Sequence, residues 1–170
     1  VKTRGKKTQK PIILSAYQER ISLRGLSRVF DIHRQSISRW IVEHVKSLPK
    51  LKDTLLPAQA EDVLEYDEAW SFVIKKINKR WLWTVMCRRT RQIIAFVMGD
   101  RSETTCRRLW RRVPSEYRNC VSYSDFWDAY QKVLPQETHH AVGKDSGQVS
   151  HMESWYCTLR QHQARYVRKT

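Results

Sequence analysis

Acidic residues are scarce in this sequence of 170 residues. Seventeen Asp and Glu face 32 Lys and Arg, a formal net charge of +15. Such an excess suits a polyanionic partner, most simply nucleic acid, with an acidic membrane surface as the plainer competitor. Long apolar runs are also missing. None approaches the roughly 20 residues of a membrane-spanning helix, and no segment of the given sequence reads as a signal peptide. The four cysteines, Cys87, Cys106, Cys120 and Cys157, contain no C-x-x-C pair, which argues against a zinc finger within the chain and for reduced cytosolic thiols. Ser124 has no evident base nearby in sequence, so nucleophilic catalysis by serine has no support. What is present is a hydrophobic content of 41% with seven Trp, enough for a packed core.

One stretch organises the rest. Val63 to Val73 reads as a strand, rich in Tyr, Trp, Phe and Val, with Asp67 in its middle. Period two puts Leu64, Tyr66, Trp70 and Phe72 on one face and Asp67 on the other. A carboxylate in a half-buried strand is unfavourable unless a cation meets it.

Before that strand, residues 1–10 form a basic arm with Lys2, Arg4, Lys6, Lys7 and Lys10, read equally as a phosphate-binding arm or a solvated tail. Residues 11–46 predict three short helices. Pro11 suits a first turn, Leu23 to Phe30 forms the second helix and Arg34 to Val45 the third. Leu26, Phe30, Ile32, Ile37 and Trp40 fit a helix-turn-helix pattern, with Asp31 where the turn usually has Gly. Arg34, Gln35, Ser36, Ser38 and Arg39 then lie on the outer face of a recognition helix. The plainer reading is a three-helix bundle with a polar face. Residues 47–61, with Pro49 and Pro57, read as a linker.

The remaining residues, 62–170, predict a second domain of mixed α/β class. Strands at Val63–Val73, Trp81–Cys87 and Gln92–Met98 form an antiparallel meander, with turns at Asn78-Lys79-Arg80 and Arg88–Arg91. A helix follows over Thr104–Arg112, capped by Ser102, then a strand over Cys120–Asp125 and a helix over Phe126–Leu134. A fifth strand spans Thr138–Val142, a loop Gly143–Gly147 and a last helix Val149–Lys169. Three antiparallel strands, helix, strand, helix, strand, helix is the ribonuclease-H-like order. In that order the first and fourth strands are neighbours, so Asp67 and Asp125 meet, and the last helix can deliver Glu153. Met152, Trp155, Leu159 and Tyr166 make that helix's apolar stripe. Glu153, Cys157, Arg160, Ala164 and Arg168 run along another side.

Three such carboxylates suit two magnesium ions, which prefer oxygen ligands and sit roughly 4 Å apart in in-line phosphoryl displacement. Each acid also has a plainer life. Asp125 can cap the helix after it, Glu153 can be a surface acid, and Glu65 and Glu68 show that this strand tolerates carboxylates. His139 and His140 read as solvent-facing strand-end residues, His151 as a minor candidate for substrate phosphate. Trp70 and Trp127 read as core, and Arg107, Arg108, Arg111 and Arg112 as a solvated basic helix face.

The segments Tyr66-Asp67-Glu68-x-Trp70, Tyr123-Ser124-Asp125-x-Trp127-x-x-Tyr130 and Glu153 followed by Leu159-Arg160-Gln161, Ala164-Arg165 and Arg168-Lys169-Thr170 together resemble the Asp-Asp-Glu transposases of bacterial insertion sequences. Among these they are most similar to the insertion sequence one family, over residues 62–170. The resemblance implies a ribonuclease-H-like catalytic domain behind a helix-turn-helix domain, with Asp67, Asp125 and Glu153 as catalytic residues and metal ligands. It implies two divalent ions, Mg2+ with Mn2+ as substitute, for hydrolysis at transposon ends and strand transfer into target DNA. It also implies that Arg160 and its helix face, with Arg165, Arg168 and Lys169, contact end DNA. The partners it implies are double-stranded DNA, at the ends and at the target, and further copies of the chain assembled on that DNA. It implies no membrane partner, and a place of action in the bacterial cytoplasm, at the nucleoid when DNA-bound. One departure is Tyr156, where members often carry Asn. The start at Val1 and the stop at Thr170 read as those of a piece of a longer protein, shortened at its C-terminus. The rival readings are a structure-specific nuclease with the same triad and a non-catalytic DNA-binding regulator.

The charge imbalance makes a direct prediction. Each phosphate neutralised contributes about −0.9 to the slope of log affinity against log salt, so DNA affinity should fall steeply as salt rises. A titration series with a nearly flat slope would assign the basic surface to another partner.

Overall fold

The computed structural model describes residues 9–73, 75–163 and 166. The chain divides into two compact units, Lys50–Cys157 and the remainder, with the division falling inside the last helix.

In the smaller unit, α1 spans Lys10–Gln18, α2 Leu23–Phe30 and α3 Arg34–Ser47. Ser22 caps α2 by accepting the Gly25 N–H at 3.1 Å. His33 occupies the cap of α3, its Nδ1 3.4 Å from the Gln35 N–H. Asp31 ends α2 in the left-handed region at φ 50°, a conformation Asp adopts more readily than most residues. The short side chain of Asp therefore serves where Gly is usual in such a turn. Ile13, Leu26, Ile32 and Ile37 are the buried centre, with Tyr17, Phe30 and Trp40 half-buried around them.

The larger unit holds a five-stranded mixed sheet in the order β3-β2-β1-β4-β5. The strands are β1 Val63–Val73, β2 Lys75–Cys87, β3 Ile93–Gly99, β4 Val121–Ser124 and β5 His139–Ala141. β2 is antiparallel to β1 and β3, whereas β4 is parallel to β1 and β5. Helix α4 spans Glu103–Arg112 and α5 Asp128–Val133, while α6 spans Ser150–His162. Leu64, Tyr66, Trp83 and Val85 form a core on one sheet face with Leu109 of α4 and Tyr130 of α5. Thr84, on the other face, meets Met152 and Tyr156 of α6. Ser102 caps α4 as expected, accepting the Thr105 N–H.

Several boundaries differ from expectation. Asn78-Lys79-Arg80 lies inside β2, because Phe72 pairs with Lys79 and Ser71 with Arg80, extending the ladder past the local turn signal. The helix after β4 starts at Asp128, since the Asp125 carboxylate accepts the Trp127 N–H and holds an Asx turn there. Residues 50–61, read as linker, are tied to the sheet unit. Leu55 and Ala58 pack on its core, and Tyr117 Oη donates to the Leu56 carbonyl at 2.6 Å. The inward seam of α6 is Met152 and Tyr156, one turn apart, with Trp155 only half-buried.

Ile37 is fully buried in the small unit. Ile37→Ala should therefore destabilise that unit by about 2–5 kcal/mol, measurable as lost amide protection in α1–α3.

Candidate active site

Four carboxylates crowd the start and middle of β1, and three of them have an arginine. Asp62 receives Arg89 Nε at 2.6 Å, which holds its pKa down at about 2. Glu65 is 0% exposed and accepts Arg88 Nε at 2.9 Å. Glu68 accepts Arg101 Nε and Tyr130 Oη, each at 2.7 Å. Asp67 is the exception. Among the described residues no Lys, Arg or His comes within ion-pair distance of it. Among the described residues its Oδ1 accepts the Glu68 N–H, at 2.7 Å, and no other donor. Burial, then the charges of Glu68, Asp125 and Glu153, push its pKa up to about 7 from an ordinary 3.8.

Sheet topology sets its neighbours. The parallel register pairing Glu65 with Tyr123 puts Asp67 level with Asp125, each two residues farther along. Asp125 Oδ1 is engaged with the Trp127 N–H at 3.0 Å, and its Oδ2 stands 3.9 Å from Arg101. Asp125 does not cap the helix, whose cap position is Trp127; its Oδ1 holds the Asx turn before it and its Oδ2 takes no hydrogen bond from that turn.

Glu65 anchors α6 from below. Its carboxylate accepts the Met152 N–H at 3.0 Å and faces His151 Nδ1 at 2.6 Å. Arg88 continues the clamp to the Gln148 carbonyl at 2.7 Å. Tyr156 Oη donates to the Asp67 carbonyl at 3.0 Å, and the Leu82 carbonyl lies 3.2 Å away. The first turns of α6 are therefore pinned on both sides of Asp67's own peptide, and Glu153 projects from that segment, exposed. His151 meets Glu65 here, and Tyr156 replaces an expected Asn with a structural hydroxyl.

Asp67, Asp125 and Glu153 offer hard oxygen donors of the kind that suit magnesium. Their mutual repulsion at Asp67 is what a bound cation would remove, so the donor set fits a divalent ion in chemistry. Their side chains do not converge on one point: among the described residues no three His, Cys, Asp or Glu are arranged to hold a metal.

Arg101 was not legible as a site residue. Its guanidinium lies 4.0 Å from the Trp127 ring and 4.7 Å from that of Trp81 while neutralising Glu68. Its one sequence signal is a cation closely following the strand that pairs with β2. His139, expected to face solvent, is half-buried between Ser122 and Ser124, 3.1 and 3.2 Å away, and burial lowers its pKa to about 4. Of the nucleic-acid candidates, Arg34, Gln35, Ser38 and Arg39 are exposed on α3, and Ser36 is half-buried. Arg160 is half-buried on the last turn of α6, while Arg165, Arg168 and Lys169, like Lys2, Arg4, Lys6 and Lys7 of the arm, lie outside the described residues. Among the described residues no helix is long and apolar enough to cross a membrane.

A carboxylate-centred site on this mixed sheet falls within the span matched by the family model for IS1 transposase, residues 62–170, and the class is transposase. The insertion element iso-IS1n protein InsB of Shigella dysenteriae is 33% identical over 108 residues, 64% of this chain and 79% of that protein. The insertion element IS1 protein InsB of Escherichia coli is 29% identical over 144 residues, 81% of this chain and 84% of its own length. The chain belongs to the IS1 transposase family, which implies DNA as its partner.

The raised pKa of Asp67 has a thermodynamic consequence. The folded chain holds this proton up to about 7, the unfolded chain only to 3.8. The stability that protonation contributes is complete below 3.8 and is lost as pH rises to about 7. In chelator near pH 8, Asp67→Asn should thus be more stable than the parent by on the order of 1–3 kcal/mol, with the gap narrowing towards pH 4. Denaturant titrations at both ends of that range check this, and a pH-independent gap would contradict it.

Proposed function

We propose that the chain cuts DNA at the ends of its insertion element and joins the freed ends to target DNA, with Asp67, Asp125 and Glu153 as the ligands of two divalent ions. The observation that carries this reading is Asp67, the one β1 carboxylate without an arginine among the described residues, level with Asp125 and coupled to Glu153. The strand order, with β2 antiparallel between β1 and β3, supports a ribonuclease-H-like domain. The short α2, the left-handed Asp31 and the exposed polar face of α3 support a helix-turn-helix module. On that face Arg34, Gln35, Ser36, Ser38 and Arg39 would meet the duplex, and Arg160, Arg165, Arg168 and Lys169 would add contacts from the end of the chain.

Held by Asp67, Asp125 and Glu153, divalent ions, Mg2+ or Mn2+, would supply neutralisation of charge on the attacking and leaving oxygens of an in-line displacement. The chain's residues prepare the rest. Arg88 and Arg101 neutralise Glu65 and Glu68, which leaves Asp67 as the uncompensated anion. Tyr156 and Glu65 hold the segment bearing Glu153 against β1. In the first step water forms a bond to phosphorus at the element end and the 3′ oxygen leaves as a hydroxyl. In the second that hydroxyl attacks a target phosphorus, and the displaced target oxygen leaves as a new 3′-hydroxyl. The substrates are double-stranded end and target DNA, bound by copies of the chain assembled together in the cytoplasm at the nucleoid.

Glu153→Gln tests this reading, since it keeps shape and helix propensity but removes a hard anionic ligand. Cleavage and joining of labelled end DNA in Mg2+ should fall by orders of magnitude, while thermal stability and DNA binding in chelator stay near the parent's. Normal activity in the variant would remove Glu153 from the site. A parent chain that binds ends but never cuts with any divalent ion would be a DNA-binding regulator.

A further inference from the structure

β1 and β2 outrun the sheet that they belong to. β4 pairs with β1 only over Val63–Glu65, and β3 pairs with β2 only from Trp81 to Met86. Beyond Trp70 and Trp81 the ladder continues as Ser71 with Arg80 and Phe72 with Lys79, so among the described residues this end is a two-stranded ribbon. Lys75, Ile77, Asn78, Lys79 and Arg80 on it are exposed, Ile77 to 85%. A lone hairpin of this kind gains little stability from its own pairing, so its composition is free to serve a partner.

That composition is one-sided. From Ala69 to Gly99 the chain has no Asp or Glu, and Lys75, Lys76, Lys79 and Arg80 all fall on the ribbon. Elsewhere on β1, Glu65 and Glu68 are answered by arginines. Here the described cations Lys75, Lys79 and Arg80 form no ion pair with any described acid. Lys79 lies over the Trp70 ring at 5.4 Å, which orients the ammonium without neutralising it.

The ribbon is also in line with the site. Asp67 pairs with Thr84, Ala69 with Leu82 and Ser71 with Arg80, so Arg80 is on the same sheet face as Asp67. Four residues of strand separate their levels, roughly 13 Å at about 3.3 Å per residue. With one phosphate per roughly 3.4 Å of axis on each strand, that is about four base pairs, well inside one turn of duplex. A two-stranded ribbon has the width that the major groove admits.

We propose that the β1–β2 ribbon is a DNA-gripping arm, with Lys75, Lys79 and Arg80 on the phosphates of the end duplex beside the cleaved position. The proposal rests on Asp67 marking the place of cleavage, so its test is done without chemistry. The full chain and its Lys75→Ala/Lys79→Ala/Arg80→Ala variant are footprinted with hydroxyl radicals in chelator, on a duplex covering the end of the element that encodes the chain. The variant should lose protection over a few base pairs flanking the cleaved position. Its slope of log affinity against log salt should become shallower by between about 2 and 3, at roughly 0.9 per phosphate contact. Lys75→Arg/Lys79→Arg, which keeps the charge, should keep both, and Arg80→Gln alone should change the slope by about 1, which guards against misfolding of the triple variant. An unchanged footprint and slope overturn the proposal and leave the ribbon to an acidic protein partner. Protection lost only far from the cleaved position overturns it as well. A chain that never cleaves in Mg2+ yet shows the ribbon-dependent footprint at the element's terminus defeats the catalytic reading while the arm stands.

Discussion

Buried negative charge on β1 is the constraint around which the larger unit is built. Asp62, Glu65, Asp67 and Glu68 lie within seven residues of one strand and its approach. Carboxylates out of water need donors, and unpaired ones are strongly disfavoured. The fold supplies three arginines from separate places, Arg88 and Arg89 after β2 and Arg101 after β3. Each closes a connection that the sheet alone would leave loose. Arg89 ties the turn after β2 to the chain entering β1, Arg88 ties it to the segment before α6, and Arg101 joins β1 to the end of β4. A buried pair of this sort specifies one arrangement more than it adds net stability, since losing either partner leaves the other charge stranded.

The site follows from that scaffold. With its neighbours compensated, Asp67 is the position where negative charge remains unanswered, and its raised pKa is the electrostatic mark of that. Catalysis by displacement at phosphorus depends on such preorganised charge rather than on covalent intermediates. The same frame fixes α6, because Glu65 accepts the Met152 N–H and Tyr156 reaches the carbonyl of Asp67. An acid near the start of a long helix is thereby held close to a strand far away in the chain.

Much of this was legible beforehand, and the exceptions have local causes. The strand with Asp67, the order of elements and the three helices of the small unit follow from periodicity, which neighbouring residues set by themselves. The hairpin turn was misplaced because Asn78-Lys79-Arg80 carries turn chemistry, while the aromatic and aliphatic pairs across β1 and β2 favour a longer ladder. His139 reads as a strand-end residue facing water, yet although β5 is the edge strand, Ser122 and Ser124 of the neighbouring β4 enclose its ring. In the sequence Tyr156 stands out only as a departure from a family pattern. Its role as a hydroxyl bridging two strands depends on a helix crossing that no local pattern encodes.

The sequence alone determined the class of the chain through its resemblance to a known family, because the motifs around Asp67, Asp125 and Glu153 that carry it are properties of residues in order. Only the tertiary structure decided which acids are answered. Glu65, Asp67 and Glu68 are near neighbours of one chemical type in one strand, and nothing local separates them. Glu68 faces the opposite side of the sheet from Glu65 and Asp67, and the acids meet different distant partners, Arg88 and His151 for Glu65, Arg101 and Tyr130 for Glu68. Asp67 faces other carboxylates instead, and charge repulsion over short distances through protein is a property of the fold.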